Sequence, residues 1–247
     1  MAGWIEGEVI DNRHWTAALF SLRVRVVSPR FEAGQFVRIA LDVDGDRVAR
    51  PFSLVNPPGD EVSEFYGVVV PEGPLSPRLA LLGSGDRLYV ADNPSGFLVL
   101  SEVPQADTLW LLSTGTGIAP FLSILRTGAP WSRYASVVLA HAVRRRDELA
   151  YRELIATLER ERGRGLRYVP FVSREDAPPA LSGRIPAAIR DGRLERAAGL
   201  RLAADTSQVM LCGNPDMLKD VGAALAERGM RKHRRRAPGQ ITTEAFW

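Results

Sequence analysis

Over the first hundred residues, apolar positions come in short, partly alternating runs separated by turn residues; beyond them they come in solid blocks. Residues 23–27 are apolar and β-branched, residues 35–41 alternate, and residues 64–70 mix valine with aromatics. Each pattern predicts a half-buried strand. The run Asp42-Val43-Asp44-Gly45-Asp46 predicts a hairpin turn into another strand over residues 47–54. Residues 86–90 predict a further strand, and Pro77 opens a short helix over residues 77–82. Several short strands at this spacing, with almost no helix, predict an antiparallel β-barrel.

From about residue 101 the pattern changes. Residues 108–112, 137–140, 166–172 and 208–211 are short apolar runs of the kind buried on both faces of a parallel sheet. Between them lie helical patterns over residues 119–126, 148–160 and 215–228, and a short helix starting at residues 186–189. In the second of these, Leu149, Ile155 and Leu158 fall at helical spacing. The βα alternation predicts a parallel sheet with helices on both faces. The chain is thus expected to be two-domain, residues 1–100 and 101–247, with no repeat or low-complexity linker between them.

Composition narrows the chemistry. With Cys212 the single cysteine of 247 residues, an intramolecular disulfide and a cluster held by four cysteines are both excluded. The start, Met-Ala-Gly-Trp-Ile-Glu-Gly-Glu, lacks the basic and apolar regions of a signal peptide. No run approaches the ~20 apolar residues of a membrane span, so a cytoplasmic protein that is not membrane-bound is expected. The net charge of +3 hides two basic clusters, residues 144–146 and 231–236. They read either as solvated faces or as surfaces for phosphates or acidic proteins. No nucleic-acid motif accompanies them, so nucleic acid is not an expected partner.

Four segments carry candidate chemistry. Ser113-Thr114-Gly115-Thr116-Gly117-Ile118-Ala119-Pro120 follows a strand and opens a helix, where free amides favour a pyrophosphate. It is similar to the dinucleotide glycine pattern but has proline at the third glycine position. Arg50-Pro51-Phe52-Ser53 offers a phosphate partner, a flat ring and a small hydroxyl at a strand end. Alone it reads better as an exposed arginine beside a core phenylalanine. Glu64-Phe65-Tyr66 and Gly73-Pro74-Leu75-Ser76-Pro77-Arg78 pair a strand with a turn into a helix. Leu211-Cys212-Gly213-Asn214-Pro215-Asp216-Met217 again runs strand, turn, helix, at the carboxyl end where open α/β sheets bind ligands. Cys212 has no evident histidine base beside it in the sequence and is read as a small buried hydrophobe.

In this order the segments resemble the ferredoxin–NADP+ reductase superfamily, and most of all its bacterial ferredoxin/flavodoxin–NADP+ reductases. The resemblance covers nearly the whole chain, including the tail Thr243-Glu244-Ala245-Phe246-Trp247. It implies an antiparallel β-barrel FAD domain followed by an α/β parallel-sheet NADP-binding domain. It implies electron transfer between NADPH and a ferredoxin or flavodoxin, by hydride exchange at flavin N5 and single electrons to the carrier. Arg50 and Pro51 would lie at the FAD pyrophosphate, Phe52 beside the isoalloxazine and Ser53 at its N5 edge. Tyr66, Pro74, Leu75, Ser76 and Thr116 would complete the flavin site. Phe246 and Trp247 would fold back onto FAD, with Phe246 shifting during turnover. Ser53 and Glu244 would stabilise or protonate N5. Phe52 and Phe246 stand where the family more usually has tyrosine; losing one hydroxyl contact costs about 0.5–1.5 kcal/mol.

The resemblance also implies NADP rather than NAD. Val143 with Arg144, Ser173 with Arg174, and Arg184 are placed around the 2′-phosphate, where an NAD site carries an acid. Asn214, Pro215 and Asp216 would line the rest of the NADP site. An NADH-linked oxygenase reductase and a flavin reductase without bound FAD are the enzyme alternatives; the arginines oppose the first, and Arg50 with the aromatic tail opposes the second. A monomer is expected, docking an acidic carrier near residues 231–236.

Overall fold

The computed structural model describes residues 3–27 and 30–245. Its first sheet contains β1 (Trp4–His14), β2 (Leu19–Arg25), β3 (Phe36–Val43), β4 (Asp46–Ser53), β5 (Val62–Val68) and β6 (Arg87–Ala91). They run in the order β4-β3-β6-β1-β2-β5, each antiparallel to its neighbours. The sheet curls until its two edge strands meet, where Leu54, just past β4, bridges Phe65 on β5. This half-barrel agrees with the antiparallel barrel expected. Val9, Phe20, Leu22, Val37, Ile39 and Phe65 fill its interior. The short helix α1 (Ser76–Leu79) plugs one end with Leu75 and Leu79. Asn12 Nδ2 donates to the carbonyls of Leu79, Ala80 and Leu82 at that helix's end. Asp44 and Gly45, with φ of 52° and 90°, form the two-residue hairpin turn the sequence predicts.

The second sheet contains β7 (Thr108–Thr114), β8 (Ser136–Val143), β9 (Leu166–Val172), β10 (Leu181–Ser182), β11 (Ser207–Gly213) and β12 (Ile241–Ala245). Its order is β10-β9-β8-β7-β11-β12, parallel throughout. Around it lie α2 (Ala119–Leu125), α3 (Ala129–Arg133), α4 (Arg152–Arg162), α5 (Ile185–Arg190), α6 (Arg193–Ala198) and α7 (Pro215–Ala226). The period of two along each strand divides the core. Leu109, Leu111, Val137 and Leu139 pack with α2 and α4, while Trp110, Leu112, Val138 and Ala140 pack with α5, α6 and α7. The chain reverses direction across the sheet at β7 and β11, so their carboxyl ends flank the switch-point crevice.

The two sheets share one core. Leu19, Val55 and Tyr66 from the first half pack in the same cluster as Phe121, Leu122 and Tyr151 from the second. Ser123 Oγ on α2 donates to the Asn56 carbonyl at 2.7 Å, and Arg126 reaches the Val55 carbonyl and Asp60.

Three expectations need correction. Strand β1 had no counterpart in the sequence reading, because Glu, Asp and Asn interrupt its apolar positions and most of its side chains remain accessible. The strand expected at residues 23–27 is β2, which starts at Leu19. The helix expected from residue 148 begins at Arg152, because Tyr151 adopts a left-handed φ of 60° and breaks the pattern.

Candidate functional site

Ser53 ends β4 opposite Phe36, and Phe36 also bridges Ser95 in the loop after β6. The next residue of that loop, Gly96, lies against Phe36 and Glu244 Oε1. The Phe97 backbone N–H faces the Glu244 carboxyl and partly offsets the effect of its burial. Strand β12 holds Glu244 beside Cys212. Ser53 and Glu244, far apart in sequence, therefore meet through one short chain of contacts. Ser53 Oγ and Glu244 Oε2 are both buried without a hydrogen-bond partner among the described residues. Burial pushes the Glu244 carboxyl up to about 7.

Phe52, half-buried, rests on β5 at Gly67, where an added Cβ would sit 2.8 Å from rings of both Phe52 and Phe20. Only a residue without a side chain lets the Phe52 ring lie on that strand. Pro51 and Arg50 are exposed; Arg50 Nη1 donates to the Ala49 carbonyl at 2.8 Å, and no carboxylate pairs with it among the described residues.

The glycine turn after β7 packs on the end of β11. A Cβ at Gly117 would lie 2.5 Å from the Cys212 carbonyl oxygen, so a side chain there would push the turn away. Thr116 is half-buried on this turn. His141, fully buried on β8, holds the turn from behind: its Nε2 lies 3.0 Å from the Gly115 carbonyl. Burial lowers its pKa to about 4. A neutral ring must donate from Nε2 to that carbonyl. No local pattern marks this residue, since one histidine in an apolar run looks like core. Burial raises the Cys212 thiol well above its ordinary value, which removes it as a nucleophile.

The arginines form a row. Ser173 N donates to the Val143 carbonyl, Arg174 N to the Arg144 carbonyl, and Gly183 N to the Val172 carbonyl. These bonds carry β8, β9 and β10 past their last ladder positions and set Arg144, Arg174 and Arg184 side by side, all exposed. Glu148 accepts from the backbones of Arg144 and Arg145, and Glu175 from that of Arg146, fixing the turn after β8. Asn214 caps α7, its side chain accepting from Met217 N at 2.8 Å, with Pro215 and Asp216 exposed on the first turn.

Some of the expected side chains are engaged within the protein. Tyr66 is 3% exposed and packs edge-on against Tyr151. Leu75 is inside the barrel core, and Ser76 Oγ accepts from Val70 N. Pro74 is exposed at that turn. Phe246 and Trp247 lie outside the described residues.

Comparison with known proteins decides the family. The chain is 49% identical to the flavodoxin/ferredoxin–NADP reductase of Shigella flexneri and 48% identical to that of Escherichia coli K12, covering 100% of each pair. The chain belongs to the flavodoxin/ferredoxin–NADP reductase family. A family profile described as an oxidoreductase NAD-binding domain matches residues 111–222 of this reductase. The same fold occurs in a crystal structure of a ferredoxin NADP+ reductase from Neisseria gonorrhoeae with bound FAD and NADP, at 34% identity, a TM-score of 0.94 and full coverage of both chains. The residues of this reductase suit the family's cofactors. A buried hydroxyl and a buried carboxyl without partners fit the polar edge of a flavin, and an unpaired exposed arginine fits its pyrophosphate. The arginine row fits the extra phosphate of NADP.

Proposed function

We propose that this chain holds FAD on its first half, residues 1–100, and NADP(H) across the strand ends of its second half, residues 101–247, and moves electrons between NADPH and a flavodoxin or ferredoxin. The observation that carries this reading is the pair of partnerless buried polar groups, Ser53 Oγ and Glu244 Oε2, beside the crevice that the glycine turn borders. Bound FAD would supply hydride and single-electron chemistry that no side chain of the chain offers.

The protein's own part is binding, orientation and proton supply. Arg50 and Pro51 would hold the pyrophosphate and Phe52 would lie beside the ring. Ser53 would donate its hydroxyl proton at the ring's edge. Glu244, titrating near neutrality, would hold or yield a proton there. Tyr66, Leu75 and Ser76, whose side chains are engaged in packing and capping, would contribute backbone groups, with Pro74 shaping their turn. Thr116 would face the nicotinamide, with His141 keeping its turn in place. Arg144, Arg174 and Arg184, with Val143 and Ser173, would take the 2′-phosphate, and Asn214, Pro215 and Asp216 the remainder of NADP. We assign Phe246 and Trp247 to cover the flavin, with Phe246 withdrawing when nicotinamide enters. The carrier would dock against residues 231–236. No helix among the described residues is long and apolar enough to cross a membrane. We place the enzyme in the cytoplasm, where NADPH and small carriers meet, acting as a monomer without nucleic acid.

Purification tests the reading. The protein should emerge yellow, or become so with FAD, and NADPH should bleach it far faster than NADH. Transfer onward to a ferredoxin or flavodoxin should follow. A preparation that stays colourless in excess FAD would overturn it.

A further inference from the structure

Tyr151 is one of the points at which the second half grips the first. It sits between the turn after β8 and helix α4, with a left-handed φ of 60° that bulky side chains avoid. Such a conformation persists only where the surroundings hold it. Here they do. The side chain is buried and enters the barrel wall, its ring 4.8 Å from that of Trp15 and 5.2 Å, edge-on, from that of Tyr66. Its hydroxyl lies 2.6 Å from Ser21 Oγ and donates to Glu64 Oε1 at 2.9 Å. Trp15 Nε1 donates to the same Ser21 oxygen at 2.7 Å.

Proton bookkeeping gives this network a direction. Tyr151 has one hydroxyl proton, and the Glu64 carboxylate takes it. Ser21 must therefore donate to the Tyr151 oxygen while it accepts from Trp15. The chain runs Trp15 to Ser21 to Tyr151 to Glu64 without a break, and its members come from β2, β5, the loop after β1 and the opposite half of the molecule.

Glu64 passes the constraint on. Its carbonyl accepts from Val55 N at 2.9 Å, and its N–H donates to Asn56 Oδ1 at 2.8 Å. Residues 55 and 56 follow the segment that ends in Ser53 after the single residue Leu54. The Asn56 carbonyl in turn accepts from Ser123 on α2, the helix that continues the glycine turn. An unbroken run of bonds thus joins Tyr151, Glu64, Asn56 and Ser123, with the Arg50–Ser53 segment on one side and the glycine turn on the other.

We propose that Tyr151 is a positioning residue for hydride transfer: its hydroxyl, through Glu64, sets the spacing between the flavin-side strand end and the nicotinamide-side glycine turn. This deepens the function proposed above and rests on it. The Tyr66 ring forms one wall of the Tyr151 socket.

The test uses Tyr151→Phe, which keeps the ring and the packing but removes both hydroxyl bonds, and Ser21→Ala, which cuts the chain one step earlier. Two measurements are made on the full chain. Hydrogen exchange of the peptides containing residues 55–56 and 64 is followed with and without added FAD. Stopped-flow bleaching by NADPH gives the transfer rate and the NADPH dissociation constant separately. Tyr151→Phe should speed exchange at these peptides and slow transfer about tenfold, while NADPH affinity changes less than about twofold, because a small misplacement of reacting groups costs rate rather than binding. Ser21→Ala should show the same pattern more weakly. An unchanged transfer rate in Tyr151→Phe overturns the proposal, whatever the exchange shows. A slowed rate with unchanged exchange at residues 55–56 and 64 also overturns it, because the effect would then not travel through Glu64. The exchange arm without FAD reads the hydrogen-bonded clamp even in a protein that binds no flavin, so failure of the clamp and failure of the proposed function are distinguishable.

Discussion

In the first sheet the candidate polar atom, Ser53 Oγ, lies beneath the surface at the end of a barrel strand, whereas the parallel sheet carries Arg144, Arg174 and Arg184 at its rim, in water. The architecture of each half dictates the difference. An antiparallel strand with one buried face can turn a small side chain inward wherever the alternation demands it. A parallel strand is buried on both faces along its length, as in β11, where all seven residues are buried, so charge can sit only where the strand ends. The barrel therefore offers few polar groups, each shielded and strong, and the parallel sheet offers several charges that water weakens singly and that act together.

The largest effect should come from the rim. The double variant Arg174→Ala/Arg184→Ala removes two charged partners of the 2′-phosphate. With charged hydrogen bonds worth about 1.5–3 kcal/mol each, NADPH affinity should fall at least about 100-fold. The NADH constant should barely move, because NADH lacks that phosphate. An unchanged preference in nucleotide titrations would break the assignment of this row.

A smaller effect should come from the barrel wall. Ser53→Ala removes a buried hydroxyl with no partner in the protein. Stability to urea without flavin should stay the same or rise by up to about 1 kcal/mol, since no protein hydrogen bond is lost. The hydride-transfer rate should nevertheless fall roughly tenfold, the value of one hydrogen bond made at the reacting edge. Loss of stability without loss of rate would make Ser53 a packing residue.

A last effect, read in stability rather than in rate, tests where the halves meet. The Glu244 carboxyl titrates near 4.5 unfolded and near 7 folded, because burial disfavours its charge. Between those values the native state binds more protons than the unfolded chain, so stability falls as pH rises. The stabilisation is complete below about pH 4.5 and lost as pH passes through about 7. The wild-type stability curve minus that of Glu244→Gln should slope downward over this window by on the order of 2 kcal/mol. A flat difference would show that Glu244 is solvated.

Legibility in the sequence followed the same divide. Strand β9 lies at residues 166–172 as read, and β7, β8 and β11 extend the expected runs by only a few residues, since these runs are mainly apolar. Strand β1 escaped notice because its burial pattern leaves mainly Gly7 and Val9 inside. The strand, turn and helix read over residues 211–217 stand in the structure, where Asn214 caps the helix. His141 and Tyr151 could not be recognised, for each gains its meaning from a partner outside its own element: the Gly115 carbonyl for one, Ser21 and Glu64 for the other.

The order of motifs and the two periodicities of this chain determined its family, its two kinds of sheet and the arginines at the strand ends, because these are properties of residues near one another along the backbone. The link from Ser53 to Glu244 through Phe36 and Gly96, the packing of Tyr66 on Tyr151 and the hydrogen-bonded grip of Tyr151 on the barrel were decided only by the tertiary structure. They join residues about 90 to 190 positions apart, and no local pattern records which distant oxygen will stand within 3 Å of a given hydroxyl.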